Sequence, residues 1–400
     1  MHSTRTRRDE DQRKILVEKD KTALPRPVAG VAGRAWEERD VSYRVIQWGT
    51  GNVGTHSLRA IIERPDLDLV GLKVYGDHKA GRDAGELVGL PKTGVTASID
   101  VDEILAIDAD CVVYNALGMT KGDVVEPVDD ICLLLSHGYN VVSSAVERAI
   151  YPKALPPELR ARLEQACAKG GSSFLGAGIN PGFTMDLWPV YMSRLSRRID
   201  RINIVEVCDM RNYDSVENMG FMGFGKTLDE IGDRNMRIEG SDEVTPFYSS
   251  VLMVSDALRF PLTAVRFENE YALATKRLRV AAGVIEPGTV AVVKMRYVAE
   301  SGGRDVLVNE WVWRTTDAVN PEWGVGEYWS MTVEGDPAMS CRIEASTQYD
   351  SKRIVSLVVA TNVVNSIPAL CDATSGVKSA LDLPPCGGGI VGLPTVMGTG

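Results

Sequence analysis

The feature that most constrains this chain is a short apolar run that leads directly into three closely spaced glycines. The run ends at Trp48, and Gly49, Gly51 and Gly54 follow in "VIQWGTGNVG". Apolar residues then continue at helical spacing as far as Ile62. Strand, glycine turn and helix in this order are typical of a dinucleotide-binding βα unit, whose helix N-terminus offers N–H groups to a pyrophosphate. A structural βα turn that binds nothing is the alternative.

The residues expected to contact the dinucleotide begin with this turn. We define the glycine loop as Gly49, Thr50, Gly51, Asn52, Val53 and Gly54. A second apolar run, residues 67–76, lies at the distance that one βαβ unit requires, so its end should meet the adenine ribose. There Asp77 favours NAD, whereas His78, Lys79 and Arg82 favour the 2′-phosphate of NADP. With three candidate cations against one carboxylate, the sequence favours NADP over NAD.

Two further apolar runs extend the pattern. "ADCVVYNALG" covers residues 109–118 and "GYNVVSSAVE" covers residues 138–147. Strands that alternate with helices predict a parallel, doubly wound sheet of the Rossmann type. Since the carboxyl ends of such strands line the ligand crevice, we expect Asn115, Ala116 and Leu117 to contact the cofactor.

The second half of the chain has a different residue pattern. After a turn-rich passage at residues 176–182, segments that alternate apolar and polar residues predict an α+β domain with a largely antiparallel sheet. The predicted fold class is therefore α/β, with a Rossmann-type sheet and this second domain. The expected divisions are a flexible extension (1–41), a dinucleotide-binding domain (42–180), a substrate and dimerisation domain (181–355) and a segment returning to the first domain (356–400).

Composition limits the partners. Against 44 Lys and Arg the chain has 54 Asp and Glu, a net charge of −10, which disfavours nucleic acid and anionic membranes. Its seven cysteines include no C-x-x-C pair, which favours a reducing, cytoplasmic setting. A transit peptide at "STRTRR" is the alternative, but the acidic "DEDQ" follows. We therefore expect a small-molecule substrate and no membrane segment. We also expect no metal, because the four histidines form no ligand motif.

The histidines also lie away from the expected position of the nicotinamide, so a carboxylate is the better candidate for proton transfer. Glu147 closes the run 138–147, at the carboxyl edge of the predicted parallel sheet. The alternative is an ordinary acid at a helix N-terminus, stabilised by the helix dipole. The residues alone leave both interpretations open.

Five segments together carry a resemblance to a known family: "VIQWGTGNVG", "GRDAGELVGLP", "NVVSSAVERAIYP", "GAGINPGFTMDLWP" and "VNSIPALCDATSGV". They resemble the dihydrodipicolinate-reductase-like NAD(P)-dependent oxidoreductases that include 2,4-diaminopentanoate dehydrogenase and the native amine dehydrogenases. The chain lacks the histidine pair, lysine and serine-glycine-threonine loop of dihydrodipicolinate reductase itself. It keeps Glu147 but has valine at 146 and one more residue before the Tyr-Pro pair than the amine dehydrogenase pattern.

The resemblance implies reductive amination of a small hydrophobic aldehyde or ketone by ammonia, with Glu147 as acid and base, in a homodimer. It also places Asn180 and Pro181 at the nicotinamide pocket. The apolar stretch "MGFMGFGK" is expected either to close over the substrate or to form a surface loop with buried Phe221 and Phe224. Two other functions stay open: a carbonyl or imine reductase that does not use ammonia, and a dinucleotide-binding protein without turnover.

Overall fold

The computed structural model describes residues 42–116, 125–233, 235–238, 247–347 and 354–388. The predicted extension at 1–41 and the predicted cofactor contact Leu117 lie outside the described residues. Two seven-stranded sheets organise the rest.

The first sheet is parallel throughout. Its strands are β1 (Tyr43–Trp48), β2 (Leu67–Lys73), β3 (Ala97–Ser98), β4 (Cys111–Tyr114), β5 (Asn140–Ser143), β6 (Ser173–Gly176) and β16 (Gly376–Lys378). They lie in the order β16-β6-β5-β4-β1-β2-β3. Every residue of β4 and β6 is buried, as expected of strands covered on both faces. The order reverses direction at β1, where a doubly wound sheet opens its ligand crevice.

Helices cover both faces of this sheet. They are α1 (Asn52–Glu63), α2 (Ala84–Leu87), α3 (Val101–Leu105), α4 (Val125–Ser136) and α5 (Pro157–Gly170), with α10 (Ile354–Asn365) and α11 (Ile367–Cys371) from the C-terminal part. On one face, Leu58 and Ile61 of α1 share a core with Val363 and Ile367. On the other, Val128 and Ile131 of α4 pack against the sheet. The C-terminal segment thus supplies both an edge strand and a covering helix.

One stretch in the described residues, Ile354–Cys371, is long and apolar enough to cross a membrane by length and composition. Its mean hydropathy is 1.8 over 18 residues, and 39% of it is buried. Val363, Val364 and Ile367 of this stretch belong to the core beneath α1. The core helix of a soluble protein passes the same test, so the stretch is weak evidence for a membrane.

The second sheet is mixed. Its strands are β7 (Arg198–Asp209), β8 (Met236–Ile238), β9 (Ala264–Leu273), β12 (Val290–Ser301), β13 (Arg304–Arg314), β14 (Tyr328–Asp336) and β15 (Met339–Ile343). They lie in the order β15-β14-β7-β13-β12-β9-β8, and β10 (Leu278–Val280) with β11 (Gly283–Ile285) forms a separate hairpin. All neighbouring pairs are antiparallel except β7 and β13. The expected largely antiparallel sheet is confirmed.

The two faces of the second sheet differ. One carries Ile204, Tyr297, Trp311 and Trp329, which pack against α6 (Leu187–Ser193) and α9 (Tyr248–Leu258). The other face carries ion pairs, among them Lys294 with Glu270 at 3.2 Å. The short helices α7 (Val216–Met222) and α8 (Leu228–Ile231) follow β7 in the chain. The segment between β7 and α7 contacts the glycine loop of the first sheet.

Candidate active site

The glycine loop has the close packing that its glycines predict. Gly49 adopts a φ of 95°, a conformation that side-chain-bearing residues rarely adopt. A β-carbon on Gly54 would lie 2.2 Å from the carbonyl oxygen of Gly49, so helix and turn touch there. A β-carbon on Gly51 would meet nothing within 4 Å. The loop is therefore tight against the protein at its ends and open at Gly51, as an approaching pyrophosphate needs.

A buried amide holds this loop to the next strand. Gln47 is fully buried, and its Nε2 donates to the Gly49 carbonyl oxygen at 2.8 Å and to Asn115 Oδ1 at 3.0 Å. Asn115 in turn donates from Nδ2 to Ser144 Oγ at 2.8 Å. The chain of bonds joins the carboxyl ends of β1, β4 and β5, which places Asn115 beside the glycine loop. Ala116 follows it and is partly buried.

The segment after β2 brings one of its cations to the glycine loop. Lys79 Nζ lies 2.9 Å from the Thr50 carbonyl oxygen and 3.0 Å from Thr50 Oγ1. His78 and Arg82 are exposed, and a β-carbon on Gly76 would lie 2.6 Å from the His78 ring. Asp77 is exposed as well. Of the four residues predicted to meet the adenine ribose, Lys79 is the one whose side chain hydrogen-bonds the glycine loop in the described part of the chain.

A fifth residue in this region escaped the sequence analysis. β2 ends at Lys73, three residues earlier than expected, and Lys73 is only 5% exposed. Its Nζ donates to the Val74 carbonyl oxygen at 2.9 Å and lies 4.4 Å from the centre of the Tyr75 ring. Burial lowers the pKa of Lys73, although the charges of Asp130 and Asp100 oppose that effect. Its apolar neighbours in the sequence gave no signal that the Lys73 ammonium would be buried at the end of β2.

The strand that leads to Glu147 also ends earlier than predicted. β5 stops at Ser143, and Glu147 instead begins a one-turn 3₁₀ helix, Glu147–Ile150. Ser143 Oγ accepts a hydrogen bond from the Ala145 amide at 3.0 Å, which turns the chain out of the sheet. Glu147 still lies beyond the carboxyl edge of the sheet, because the turn carries it past the strand end.

The surroundings of Glu147 favour a neutral carboxyl. The residue is partly buried, and its Oε2 is shielded from water with no hydrogen-bond partner in the described part of the chain. Burial raises the pKa of Glu147 to about 7. Ser249 of α9 donates to the Glu147 carbonyl oxygen at 3.5 Å, so the second half of the chain supports the turn. A carboxyl that titrates near neutrality suits both acid and base catalysis.

The turn at Asn180 and Pro181 is fixed by a buried acid. Asp186 is fully buried and accepts from the amides of Gly182 at 2.8 Å and Leu187 at 2.7 Å, and from Ser250 Oγ at 2.7 Å. Burial raises the pKa of Asp186, and these hydrogen bonds oppose the rise. The peptide bond before Pro181 is cis.

The Asn180 amide lies at the boundary between the two sheets. Its Nδ2 and Oδ1 are both buried without a hydrogen bond of ordinary geometry in the described residues. It nevertheless lies close enough to Glu206 of β7 to lower the pKa of that carboxyl. Because a carboxylate can accept only from Nδ2, Oδ1 is left as a buried acceptor without a donor in the described residues, and it marks a place where a ligand could supply the missing bond.

Glu206 is a second buried carboxyl, and the sequence did not single it out. It is 3% exposed and accepts from the indole nitrogens of Trp313 at 3.0 Å and Trp329 at 2.7 Å. Burial raises its pKa, whereas these two donors lower it. Two tryptophans of the second sheet therefore hold this acid by their indole N–H groups.

The segment after β7 contacts the glycine loop across the crevice. Asn52 of the glycine loop donates from Nδ2 to Asp214 Oδ1 at 3.1 Å. The adjacent Tyr213 packs against a cluster of apolar side chains that includes Met210, Met222 and Trp313. A hydrogen bond from the first half to the second therefore spans the crevice beside the glycine loop.

The stretch "MGFMGFGK" forms most of helix α7 and the turn after it, not an extended loop. Phe224 is buried at 6% exposure, but Phe221 is 69% exposed, so the alternative in which both are buried is wrong for Phe221. The helix presents Met219 and Met222 to the apolar cluster around Tyr213, which leaves Phe221 on its other side.

Comparison with known proteins agrees with this architecture. Residues 183–392 match the family model of the 2,4-diaminopentanoate dehydrogenase C-terminal domain. An amine dehydrogenase of Streptomyces virginiae is 30% identical over 349 residues, which cover 85% of this chain and 95% of that protein. The 2,4-diaminopentanoate dehydrogenase of Acetoanaerobium sticklandii is 27% identical over 229 residues, or 55% of this chain and 61% of that protein.

Among solved structures, the amine dehydrogenase of Mycobacterium smegmatis superimposes with a TM-score of 0.70 at 20% identity, over 87% of this chain and 97% of that one. This likeness confirms the expected fold class. The resemblance stated from the sequence is confirmed too, and the protein is an NAD(P)-dependent oxidoreductase of the amine dehydrogenase type. With a family model that matches more than half of its length, this chain belongs to the family of 2,4-diaminopentanoate dehydrogenases and amine dehydrogenases.

Proposed function

We propose that this protein catalyses the reversible reductive amination of small hydrophobic aldehydes or ketones by ammonia, with Glu147 as the acid and base. The observation that carries the proposal is the burial of the Glu147 carboxyl and its raised pKa. Its Oε2 is buried without a partner in the described residues, beyond the carboxyl edge of the parallel sheet, and its pKa is raised to about 7.

One carboxyl with this pKa can serve each proton transfer. Ammonia attacks the carbonyl carbon, the C–N bond forms, and the C=O π pair moves to oxygen. Glu147 takes a proton from the new ammonium nitrogen and returns a proton to the oxygen, giving a carbinolamine. A proton that Glu147 takes up from solvent then lets the C–O bond break, so that water leaves and an iminium ion remains beside the carboxylate. Hydride addition to the iminium carbon gives the amine.

The nicotinamide cofactor supplies that hydride when it is bound. The residues fit the group, because Gly51 is open on the side where a β-carbon would stand. We propose that the glycine loop holds the pyrophosphate, and that Asn115, Ala116, Asn180 and Pro181 line the rest of the crevice. The Oδ1 of Asn180 would accept a hydrogen bond from the cofactor or substrate.

We further propose NADP as the preferred cofactor. Lys79 supports this choice because its ammonium already lies at Thr50, where it would add positive charge beside the ribose. His78 and Arg82 would add charge at the surface. Asp77, the residue that favours NAD, makes no side-chain hydrogen bond or ion pair with the glycine loop among the described residues.

The substrate class follows from the side chains near Tyr213. Met219, Met222, Phe224 and Trp313 form an apolar cluster there, and such surroundings favour a hydrocarbon side chain over a charged keto acid. We also propose a cytoplasmic homodimer. The free cysteines of the described residues support the cytoplasmic setting. The second sheet, with one apolar and one ion-paired face, supports the dimer, and a light-scattering mass equal to one chain would refute the dimer.

The function is tested by identifying the product. Purified protein is incubated with a small aldehyde, NADPH and ¹⁵N-labelled ammonium, and the product is examined by mass spectrometry. An amine that contains ¹⁵N supports the proposal. An alcohol would indicate the alternative reductase, and NADPH binding without any product would indicate a protein that binds the dinucleotide without turnover.

A further inference from the structure

A phenol near Glu147 has no part in the chemistry described above. Tyr213 follows β7, is partly buried, and accepts a hydrogen bond from Asn218 Nδ2 at 2.8 Å. Asn218 belongs to α7, whose first turn is capped by Ser215. The helix thus fixes the position of the phenol oxygen.

The bond from Asn218 also fixes how Tyr213 can act. Since the amide donates, the phenol oxygen is the acceptor, and its own O–H has no acceptor within the described residues. Burial raises the pKa of Tyr213, the Asn218 bond opposes the rise, and the charges of Glu147 and Asp214 raise it further. The phenol therefore stays protonated and can donate one hydrogen bond.

Three observations place Tyr213 at the candidate site. The negative charge of Glu147 acts on it, so the two groups are near each other. Its neighbour Asp214 accepts from Asn52 of the glycine loop at 3.1 Å. The ring packs beside Met222 and Trp313 in the apolar cluster. Tyr213 thus packs against the apolar side chains, adjoins in the chain the residue that contacts the glycine loop, and feels the charge of Glu147.

Reductive amination requires a donor that Glu147 cannot provide at the same moment. When ammonia attacks, negative charge accumulates on the substrate oxygen, while Glu147 must be a carboxylate in order to accept a proton from nitrogen. A carboxylate repels the oxygen at that stage. A separate neutral donor would stabilise the oxygen, as donors do in an oxyanion hole.

We propose that Tyr213 is a further catalytic residue, whose O–H donates a hydrogen bond to the substrate oxygen during ammonia attack and again as that oxygen leaves. The phenol keeps its proton throughout, and the protons that form water pass through Glu147. Asn218 is a positioning residue that acts through Tyr213. This assignment rests on the proposed function.

The test compares a substrate that has the oxygen with one that lacks it. Tyr213→Phe is assayed with an aldehyde plus ammonium, and with a preformed five-membered cyclic imine that needs only hydride. We expect kcat for the aldehyde to fall about 100-fold, the usual effect of removing one such donor. Imine reduction should change less than about twofold, and NADPH binding, measured by fluorescence titration, should be unchanged.

Tyr328→Phe is the matched control. Tyr328 is a partly buried phenol on the opposite face of the second sheet, beside Val207. The variant loses the same hydroxyl but should keep both activities.

Equal losses on both substrates, or no loss on either, would overturn the role of Tyr213. If the wild-type protein accepts the aldehyde but no cyclic imine, exchange of the carbonyl oxygen with ¹⁸O-water is measured with ammonium and NADP⁺. Slower exchange in Tyr213→Phe supports the assignment, and unchanged exchange overturns it. Wild-type protein that consumes NADPH with neither substrate would overturn the proposed function, and this assignment with it.

Discussion

The ammonium of Lys79 lies 2.9 Å from the carbonyl oxygen of Thr50, so the segment after the second strand is held against the glycine loop. In the proposed complex with NADP, this ammonium would lie beside the 2′-phosphate of the ribose. The contact bears on the choice between NADPH and NADH.

Replacement of Lys79 should change cofactor preference. In Lys79→Ala we expect the Kd for NADPH to rise about tenfold or more, since a hydrogen bond to a charged group contributes about 1.5–3 kcal/mol. The Kd for NADH should rise less than about threefold. Both are measured by fluorescence titration, with the exposed Lys169→Ala as control. Equal weakening of both cofactors would argue against a 2′-phosphate site at Lys79.

Two glycines of the same loop should respond differently to alanine. Gly51 has a φ of −76°, which alanine also adopts, and a β-carbon there meets no protein atom within 4 Å. Gly51→Ala should therefore keep its Tm but bind NADPH at least about tenfold more weakly, because its methyl group would stand where we propose that the pyrophosphate binds.

Gly54→Ala should instead lose stability, since its β-carbon would lie 2.2 Å from the Gly49 carbonyl oxygen. A loss of about 1–3 kcal/mol in the free energy of unfolding is expected from such overpacking. Thermal unfolding without cofactor separates the two variants. A stable Gly54→Ala, or a Gly51→Ala that binds normally, would contradict this structure of the loop.

Glu147 should make the stability of the unliganded protein depend on pH. Its pKa rises from 4.5 to about 7 on folding, so between these values the folded state binds more protons than the unfolded state. Stability should therefore fall as pH rises through this window, and the penalty is complete above the folded pKa.

Glu147→Gln removes that penalty. At pH 9 we expect the variant to be more stable than the wild type by about 1–3 kcal/mol, and at pH 4 the two should be equal. Urea unfolding at both values measures the difference. The exposed Glu322→Gln should change stability by less than about 0.5 kcal/mol at either pH. A stabilisation that is the same at pH 4 and pH 9 would mean that burial does not raise the pKa of the Glu147 carboxyl.

The sequence predicted the parts of this fold that local pattern determines. The glycine spacing located the first strand, turn and helix, because only glycine fits Gly49 and Gly54. Alternation predicted the second sheet. It could not predict that β7 and β13 lie parallel, since pairing across more than a hundred residues leaves no local signal.

The candidate site was only partly predictable, for physical reasons that differ between residues. Glu147 could be found because it follows a strand of the parallel sheet. Its exact position past the strand depended on one side-chain bond of Ser143 to the backbone. Glu206 and Tyr213 could not be found, because what singles them out is a contact with Trp329 and with Asn218 respectively, and sequence spacing does not reveal such contacts.

The most direct test of the central claim is the rate of NADPH oxidation by the purified protein with a panel of small aldehydes and ketones, with and without ammonium at alkaline pH. Glu147→Ala is measured beside the wild type. We predict oxidation that requires ammonium and falls by about 100-fold or more in the variant, as expected for the loss of a general acid and base. Oxidation that proceeds equally without ammonium, or a fully active Glu147→Ala, would contradict the proposed function.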